Sequence, residues 1–381
     1  MHKVRYLHRV DQVDQLTPTE KRTLGRVADR YSFRANDYYL GLINWSDPED
    51  PIRRIILPQE GELEPFGDLD ASNESTNYVA PGCQHKYHST ALLICTEICG
   101  SYCRFCFRKR LFMNDNDEAV VDLTEGIEYI RRTPQITNVL LSGGDPLFLS
   151  TRRIEHIIRE LREIPHVGII RIGSKMPSFN PYRIIDDPAL LEMITRYSSP
   201  EKRIYIMTHF NVPQELTPVA RKGVDLLIKA GAILCNQTPL LKGINDKPEV
   251  LAELMRQLSF MGVPPYYFFM CRPTEGNKPF ALSLVDAYRL LEESKLQVSG
   301  LAKRARLVMS HESGKVEMVG MTRNHLYLRY HRARDAADKS RFMIFHRDND
   351  AYWLDDLVPV AEAPHPVSRH GHRAHHGIGP E

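Results

Sequence analysis

Three cysteines within eight residues, Cys99, Cys103 and Cys106, are the most specific chemical signal in the sequence. A structural zinc site usually takes four ligands, often as two separated C-x₂-C pairs, and no second pair is present in this chain. Three thiolates on one tight loop favour a 4Fe–4S cluster, which leaves one iron open for a small molecule. The spacing therefore predicts an iron–sulfur cluster, with a zinc site or a chance group of cysteines as the alternative.

A fourth cysteine, Cys95, precedes Cys99 by four residues and raises a question of register. It lies at the end of the apolar run ALLIC, which has the character of a β-strand. We therefore predict that Cys95 packs inside the strand like a small apolar side chain and does not bind the cluster.

The sequence around the cysteines resembles a known family. Residues 81–110 read PGCQHKYHSTALLICTEICGSYCRFCFRKR, and LLSGGDPL, RIGS, THFN, NQTPLLKGIND and PYYFFMC follow in order. This collinear pattern over residues 51–315 resembles the lysine 2,3-aminomutase family of radical S-adenosylmethionine (SAM) enzymes. The resemblance implies a 4Fe–4S cluster, SAM, pyridoxal 5′-phosphate (PLP) and a reducing electron donor of the flavodoxin or ferredoxin type. It also implies an isomerase that moves an α-amino group to the β-carbon.

The resemblance assigns further residues to SAM. A turn after the second predicted strand consists of Ser142, Gly143, Gly144 and Asp145. Glycines let a backbone approach a ligand closely, and Asp145 offers an acceptor for an ammonium or hydroxyl group. Alone, the run is typical of a tight strand-to-helix turn, but its place resembles the SAM-binding turn of the family. By the same resemblance Ser174, His209 and Gln237 line the cofactor cavity, although each alone is equally typical of a structural hydrogen-bonding residue.

Lys315 ends the segment SHESGK, where the family has a glycine-rich turn and the lysine that binds PLP. Such a lysine needs desolvation and a lowered pKa, so that its neutral amine can attack an aldehyde. Alone, a single Gly-Lys pair is common in hairpins. The family also has an arginine before the first strand that is associated with cofactor binding, and here Thr90 takes that place. The phosphate site is therefore expected to differ, or to draw on Lys86 or His85.

Two arginines bear on the substrate. Arg108 matches the family arginine that binds the substrate carboxylate, a task that suits a planar bidentate donor. A solvated basic run is the alternative, and it is the interpretation we give to Lys109. Lysine-specific members hold the distal ammonium with aspartates, one of them in a Cys-Asp pair after the sixth strand, and this chain has Cys271-Arg272 there.

The substitution at Arg272 reverses the charge that the distal end of a substrate would meet. We therefore predict a free amino acid other than lysine, and an acidic one in particular, with Arg108 and Arg272 at opposite ends of the pocket. Alternatively, Arg272 pairs with Glu275 or Glu312 and only shapes the wall. The second hypothesis for the function is a lysine aminomutase that acts on lysine itself or on a protein lysine, as in elongation factor P modification. A non-catalytic Fe–S or zinc-binding interaction protein would leave the other motifs unexplained.

Strand–helix alternation is expected to position these residues. Six apolar strands are predicted, at Ala91–Cys95, Asn138–Leu141, Ile169–Ile172, Arg203–Met207, Ile233–Asn236 and Tyr266–Met270. Amphipathic helical segments separate most of them, which predicts an α/β fold with a parallel sheet, a partial (βα)6 barrel of the radical SAM type. The candidate residues follow the carboxyl ends of the strands, where such sheets bind ligands.

Extensions are predicted on both sides of the barrel, which is placed at residues 81–300. Residues 1–80 are expected to form a helical and loop extension, with a helix starting at Thr17 and a short extended piece at Arg53–Leu57. Residues 301–360 are expected to hold the PLP lysine and a β-rich region. Residues 361–381 contain five histidines among Pro, Ala and Gly and are predicted to be a disordered tail.

Composition limits the partners and the compartment. The net charge of +2 gives no reason to expect nucleic acid or an anionic membrane as a partner. No apolar run is long enough to span a bilayer, and the N-terminus MHKVRYLHRV lacks the apolar core of a signal peptide. Seven cysteines with three in a cluster fit a reducing compartment. These features predict a cytoplasmic enzyme with a small-molecule amino acid substrate, and they leave a homo-oligomer open.

Overall fold

A long sheet dominates the computed structural model, which describes residues 3–113, 118 and 122–360. Its strands are β1 (Tyr6–Leu7), β2 (Ala35–Asn36), β3 (Tyr78–Ala80), β4 (Cys83–Tyr87), β5 (Thr90–Thr96), β6 (Asn138–Gly143), β7 (Ile169–Ser174), β8 (Ile204–Thr208), β9 (Ile233–Leu240), β10 (Pro265–Met270), β11 (Arg306–His311), β12 (Gly314–Met321), β13 (His325–Ala333) and β14 (Phe342–His346). Its α-helices are α1 (Pro18–Arg30), α2 (Asp37–Leu40), α3 (Pro51–Ile56), α4 (Thr124–Arg131), α5 (Thr151–Arg162), α6 (Met176–Phe179), α7 (Tyr182–Ile185), α8 (Pro188–Tyr197), α9 (Pro218–Lys229), α10 (Pro248–Phe260) and α11 (Leu284–Leu296).

The parallel part of the sheet runs from β5 to β11, and neighbouring strands along the chain are also neighbours in space. Sequential order with helical crossovers winds the chain in one direction, as in a partial barrel. The predicted α/β partial barrel is therefore confirmed, including all six predicted strands. The strand β11 is a seventh parallel strand that the sequence analysis did not predict, because its segment was assigned to the extension beyond the barrel.

Antiparallel strands extend both edges of the same sheet. The strands β3 and β4 pair on the β5 side, and β12 to β14 continue from β11. The predicted C-terminal β-rich extension is thus an extension of the barrel sheet itself. Because the sheet continues across residues 80 and 300, the structure marks no break there, and those domain boundaries stay predictions.

Side chains alternate between the two faces of the parallel strands. On β6, Val139 and Leu141 are buried in the main hydrophobic core, whereas Leu140 and Ser142 face a cavity. The helices cover the core face, as α5 does with Ile154 and other buried residues of one stripe. This alternation follows from the two-residue repeat of a strand, and it leaves the opposite face free to hold functional groups.

The N-terminal extension contains the predicted helix and one element that was predicted incorrectly. The helix α1 begins after Thr17, whose hydroxyl accepts the backbone N–H of Glu20. The extended piece predicted at Arg53–Leu57 is instead the helix α3. Asp50 caps that helix, and isoleucines with helical spacing bury its inner face, so capping and tertiary packing override the strand preference of the β-branched residues.

Two further expectations concern the chain ends and the membrane. The predicted tail at residues 361–381 lies outside the described residues. In the described part of the chain, every helix is too short or too polar to cross a bilayer.

Candidate active site

A cavity of about 350 Å³ opens on the inner face of the sheet, toward the carboxyl ends of the parallel strands. It is lined by the residues predicted for the cluster, SAM, the PLP lysine and the substrate, namely Cys99, Cys103, Cys106, Arg108, Ser142, Gly143, Gly144, Asp145, Ser174, His209, Gln237, Arg272 and Lys315. These residues are spread over more than 200 positions of sequence, and the parallel strands bring them to one place. Their individual roles stay predictions.

The loop after β5 carries the three clustered cysteines. All three are free thiols, and each is partly buried. The loop turns back on itself, with the backbone N–H of Cys106 donating to the carbonyl of Cys103 at 3.1 Å. In the described residues no three His, Cys, Asp or Glu side chains are arranged around one metal ion, as a mononuclear site requires. The cysteines of a cubane each bind a different iron, and soft thiolates are the usual ligands of such clusters.

Cys95 lies apart from this loop, inside β5. Its side chain is buried, and its Sγ donates to the carbonyl oxygen of Ser142 on the adjacent strand at 3.4 Å. Burial raises the pKa of the Cys95 thiol to about 12, so it behaves as a small neutral side chain. Cys95 does not line the cavity formed by the described residues.

The N-terminal extension supports the cysteine loop, and no motif in the sequence predicted this contact. The backbone N–H groups of Tyr102 and Arg104 donate to the carbonyls of Arg34 and Ile55, each at 2.9 Å. The Arg104 guanidinium forms an ion pair with Glu62 at 2.8 Å, and both side chains are almost fully buried. The loop is therefore held by residues that precede it by 40 or more positions.

The two glycines at the end of β6 let that strand approach the cysteine loop. Gly143 has φ +112°, and a Cβ there would lie 2.3 Å from the carbonyl oxygen of Thr96. A Cβ on Gly144 would lie 2.4 Å from the carbonyl oxygen of Ile98. The glycines line the cavity, but the close approach that requires them is to the chain itself and not only to a ligand.

The carboxylate of Asp145 is occupied by backbone donors. It accepts N–H groups from Leu147, Lys175 and Met176 at 2.6 to 3.1 Å. Burial raises the pKa of Asp145 to about 6, against the opposing effect of its hydrogen bonds. These amides bind both oxygens, and a role for Asp145 as an acceptor for an ammonium or hydroxyl group stays a prediction. Ser174 makes a similar local bond, its Oγ accepting the N–H of Met176.

Lys175 is a buried cation that the sequence analysis missed. Its Nζ donates to the carbonyl of His209 at 2.6 Å, to Oδ1 of Asn211 at 2.7 Å and to the carboxylate of Glu215. Burial, reinforced by Lys175, lowers the pKa of His209 to about 4, so its imidazole is neutral at neutral pH. Gln237 on β9 also lines the cavity.

Lys315 lies on β12, directly after Gly314. Its Nζ is 4.6 Å from the ring centroids of both Tyr267 and Phe269 and donates to Ser310 Oγ at 3.4 Å. Burial, followed by the field of nearby cations, lowers the pKa of Lys315 well below its ordinary value. Such a shift favours the neutral, nucleophilic form of the amine. Gly314 has φ +151°, and a Cβ there would lie 2.3 Å from the carbonyl oxygen of Arg332. This close approach explains why the residue before Lys315 is a glycine.

Arg108 and Arg272 converge on one carboxylate, that of Glu74. Arg108 binds it through Nε and Nη2 at 2.9 and 3.1 Å, and Arg272 Nη1 lies 3.4 Å from its Oε1. Burial would raise the pKa of Glu74, but Arg108 and Arg272 overcome that effect and hold it well below the usual range. The two guanidiniums thus lie on the same side of the cavity, and the expectation that they stand at opposite ends is wrong.

The alternative prediction, that Arg272 pairs with Glu275 or Glu312, is also wrong. Glu275 is bonded to Arg30 and Tyr31, and Glu312 contacts Asn73. The Arg272 guanidinium instead stacks on the ring of Phe107, 3.7 Å from its centroid. Glu74 lies in a segment that reads as a loop and is distant in sequence from both arginines, so no local pattern marked it.

The basic run after the cysteines is not solvated. Lys109 is 5% exposed, and its Nζ donates to the carbonyl of Arg104 at 3.0 Å. Burial lowers the pKa of Lys109 to about 8. The interpretation of Lys109 as a solvated residue is therefore wrong, because Lys109 is buried, with its Nζ 4.8 Å from the ring centroid of Tyr31 in the N-terminal extension.

Further cations surround Lys315. Lys86, Arg171 and Arg332 line the same cavity. His85, the other candidate for the phosphate, is bonded through Nδ1 to the hydroxyl of Tyr129 at 2.8 Å and is absent from the described cavity wall. Of the two residues considered for the phosphate site, Lys86 lines the cavity and His85 does not.

Sequence comparison gives several similar proteins, although no family model matches the chain. The chain is 53% identical over 359 residues to "Putative L-lysine 2,3-aminomutase" of Aquifex aeolicus (strain VF5), which covers 94% of this chain and 96% of that protein. It is 38% identical over 304 residues to L-lysine 2,3-aminomutase of Fusobacterium nucleatum, covering 77% of this chain and 70% of that protein. It is 33% identical over 307 residues to glutamate 2,3-aminomutase of Clostridioides difficile (strain 630), covering 80% and 71% respectively.

Proposed function

This chain belongs to the lysine 2,3-aminomutase family of radical SAM enzymes and is a 2,3-aminomutase, and on that premise we propose that it isomerises a free amino acid with a second carboxylate, such as glutamate or aspartate. The reaction moves the α-amino group to the β-carbon. Family membership implies a 4Fe–4S cluster, SAM and PLP as cofactors.

The donor groups of the cavity fit these cofactors. The thiols of Cys99, Cys103 and Cys106 would hold the cluster, and the neutral amine of Lys315 would bind the PLP aldehyde. The turn at 142–145, with Ser174, His209 and Gln237, would border SAM. When bound, the cluster and SAM supply a radical that removes a substrate hydrogen, and PLP carries the amino group that migrates.

The protein residues orient the substrate and keep water away. The Arg108 guanidinium is fixed by Glu74 through Nε and Nη2 and by Ser142 Oγ, at 2.8 Å, through Nη1. The remaining N–H groups of its two terminal nitrogens would take the substrate carboxylate in this fixed orientation. The rings of Phe107, Tyr267 and Phe269 form apolar walls of the cavity. Such walls exclude water, which would otherwise intercept a reactive radical.

The charges of the cavity favour an acidic substrate, and one observation carries this proposal. Among the described lining residues the only carboxylates are Glu74 and Asp145, and both are already engaged, by arginines and by backbone amides. A distal ammonium would therefore find no unengaged carboxylate and would meet Arg272. An uncompensated charge of that kind in a desolvated site costs several kcal/mol, whereas a second carboxylate would complete the coordination of Arg272.

Lysine is the second candidate. The names of several relatives favour it, and so does the presence of Glu74 in the cavity, since a distal ammonium would bind there if the carboxylate left Arg272. No observation favours a lysine on a protein. The two candidates therefore differ in which residue, Arg272 or Glu74, faces the distal group.

An amino acid panel separates these candidates. The reconstituted protein is incubated anaerobically with SAM, PLP and dithionite, which replaces the predicted flavodoxin- or ferredoxin-type donor, and with glutamate, aspartate, neutral amino acids or lysine. We expect at least tenfold more β-amino acid from an acidic substrate than from lysine, and a reversal of this preference in Arg272→Asp. The exposed Arg289 on α11 gives a matched control, Arg289→Asp. A wild type that prefers lysine, or an Arg272→Asp variant with an unchanged preference, contradicts the proposal.

A further inference from the structure

Two cations in the cavity lack an acidic partner. In the described part of the chain, no carboxylate lies within ion-pair distance of Arg171 or Arg332, although both line the cavity. Arg171 Nε donates only to the amide oxygen of Asn138, at 2.8 Å. Arg332 donates to hydroxyl groups and stacks on the ring of Tyr87, 4.4 Å from its centroid. Both arginines are partly buried, and partly desolvated cations without counter-charges favour the binding of an anion beside them.

We propose that Arg332, a residue of the C-terminal extension, holds the phosphate of PLP. This inference rests on the proposed use of PLP at Lys315. Arg332 has the charge and the planar pair of donors that suit a phosphate. Arg171 adds positive charge from the facing strand β7.

The strand register places Arg332 beside the lysine. Lys315 on β12 and Arg332 on β13 are direct cross-strand partners, and both side chains face the cavity. The Cβ atoms of such partners lie about 4.5 to 5.5 Å apart. PLP carries its aldehyde and its phosphate arm on neighbouring carbons of one ring, so a lysine and an arginine at adjacent positions match its two attachment points.

Arg332 also reaches the place where the resembled family has its arginine. That place is occupied here by Thr90, whose Oγ1 accepts a hydrogen bond from Nη2 of Arg332 at 3.0 Å. A second hydroxyl, that of Ser89, lies 3.4 Å from the same nitrogen. The guanidinium of Arg332 thus extends from β13 to the start of β5. Two neutral hydroxyl groups hold it there and leave its positive charge uncompensated.

Lys86, one of the expected phosphate ligands, is less suited to this role. Its Nζ already donates to the carbonyl of His311 at 2.6 Å, and burial lowers its pKa to about 8. It contributes charge to the cavity, but one of its donors is used to hold the turn that precedes Lys315.

The test compares PLP with pyridoxal, which has the aldehyde and lacks the phosphate. Each is titrated into the full-length protein, bound ligand is reduced with borohydride, and pyridoxyl-labelled Lys315 is quantified by mass spectrometry. In Arg332→Gln we expect the preference for PLP over pyridoxal to fall by about tenfold to a hundredfold, with little change in the affinity for pyridoxal. Arg329→Gln, on the same strand but paired with Glu317 outside the cavity, should keep the wild-type preference.

The outcomes separate this inference from the proposed function. An unchanged preference in Arg332→Gln, or an equal loss of both ligands, overturns the role of Arg332 while leaving PLP at Lys315 intact. A wild type that labels Lys315 with neither ligand overturns the use of PLP and this inference with it. If Arg332→Gln does not fold, Arg332→Lys decides. Because it keeps the charge and loses the planar fork, the preference should fall by about threefold to tenfold, and no change would contradict the proposal.

Discussion

The cysteine end and the arginine end of the cavity are built in different ways. The cysteine end takes its three thiols from a single loop of consecutive chain, residues 99–106. The arginine end combines Glu74, Arg108 and Arg272, which come from three distant segments. A site whose ligands are close together in the chain can therefore be predicted from the sequence, whereas an ion cluster assembled by tertiary contacts cannot.

Lys315 and the arginine end also differ in charge. Burial, followed by neighbouring cations with Arg272 first among them, lowers the pKa of Lys315 and favours its neutral form. At the arginine end, Glu74 is kept ionised because Arg108 and Arg272 outweigh the effect of burial. A neutral amine suits attack on an aldehyde, and a fixed set of charges suits the selection of a charged substrate.

The largest expected effect tests the cysteine end. Cys103→Ala should lose the cluster and all detectable aminomutase activity, because a cubane with only two protein ligands is poorly held. Cys95→Ala should keep the cluster and lose only about 1 kcal/mol of unfolding free energy, since it removes a small buried side chain. Iron and sulfide analysis after anaerobic reconstitution measures both variants. A full cluster in Cys103→Ala, or loss of the cluster in Cys95→Ala, would contradict the assignment of the ligands to residues 99–106.

A smaller effect tests the support of the cysteine loop. Arg104→Met leaves the buried carboxylate of Glu62 without its partner and should destabilise the protein by about 3 to 5 kcal/mol. Arg196→Met on α8 removes an exposed ion pair with Glu155 and should cost less than about 1 kcal/mol. Urea unfolding of the two variants gives the difference. Equal stabilities would show that the N-terminal extension does not anchor the loop.

Local patterns predicted one part of the molecule, and long-range contacts determine the rest. The alternation of apolar strands and helices predicted the barrel, and spacing and motif order predicted residues that all line one cavity. The helix α3 was missed because its isoleucines favour a strand locally, while Asp50 and burial favour a helix. Glu74, Lys175 and Arg332 were missed because their environment depends on partners 30 or more positions away.

The smallest expected effect tests the arginine end. Glu74→Gln removes one negative charge beside Arg108 and Arg272, which should lower the KM for an acidic substrate and raise that for lysine. At the effective dielectric of a partly buried site, a change of about threefold to tenfold is expected. Glu312→Gln, whose carboxylate contacts only Asn73 among its described hydrogen-bond partners, is the control. Steady-state kinetics with each substrate provides the measurement, and a lower KM for lysine in Glu74→Gln would contradict the assignment.

The most direct test of the central claim, that this cavity is a PLP site with a neutral lysine, is to add PLP to the PLP-free protein at several pH values and to trap the imine with borohydride at early times. An ordinary lysine gains roughly a hundredfold in neutral amine between pH 7 and pH 9, whereas one with a strongly lowered pKa is already neutral. We expect the pyridoxyl label on Lys315, with a rate of incorporation that changes less than about threefold over this range. A label on Lys86 or Lys175, or a rate that rises a hundredfold, would contradict the account.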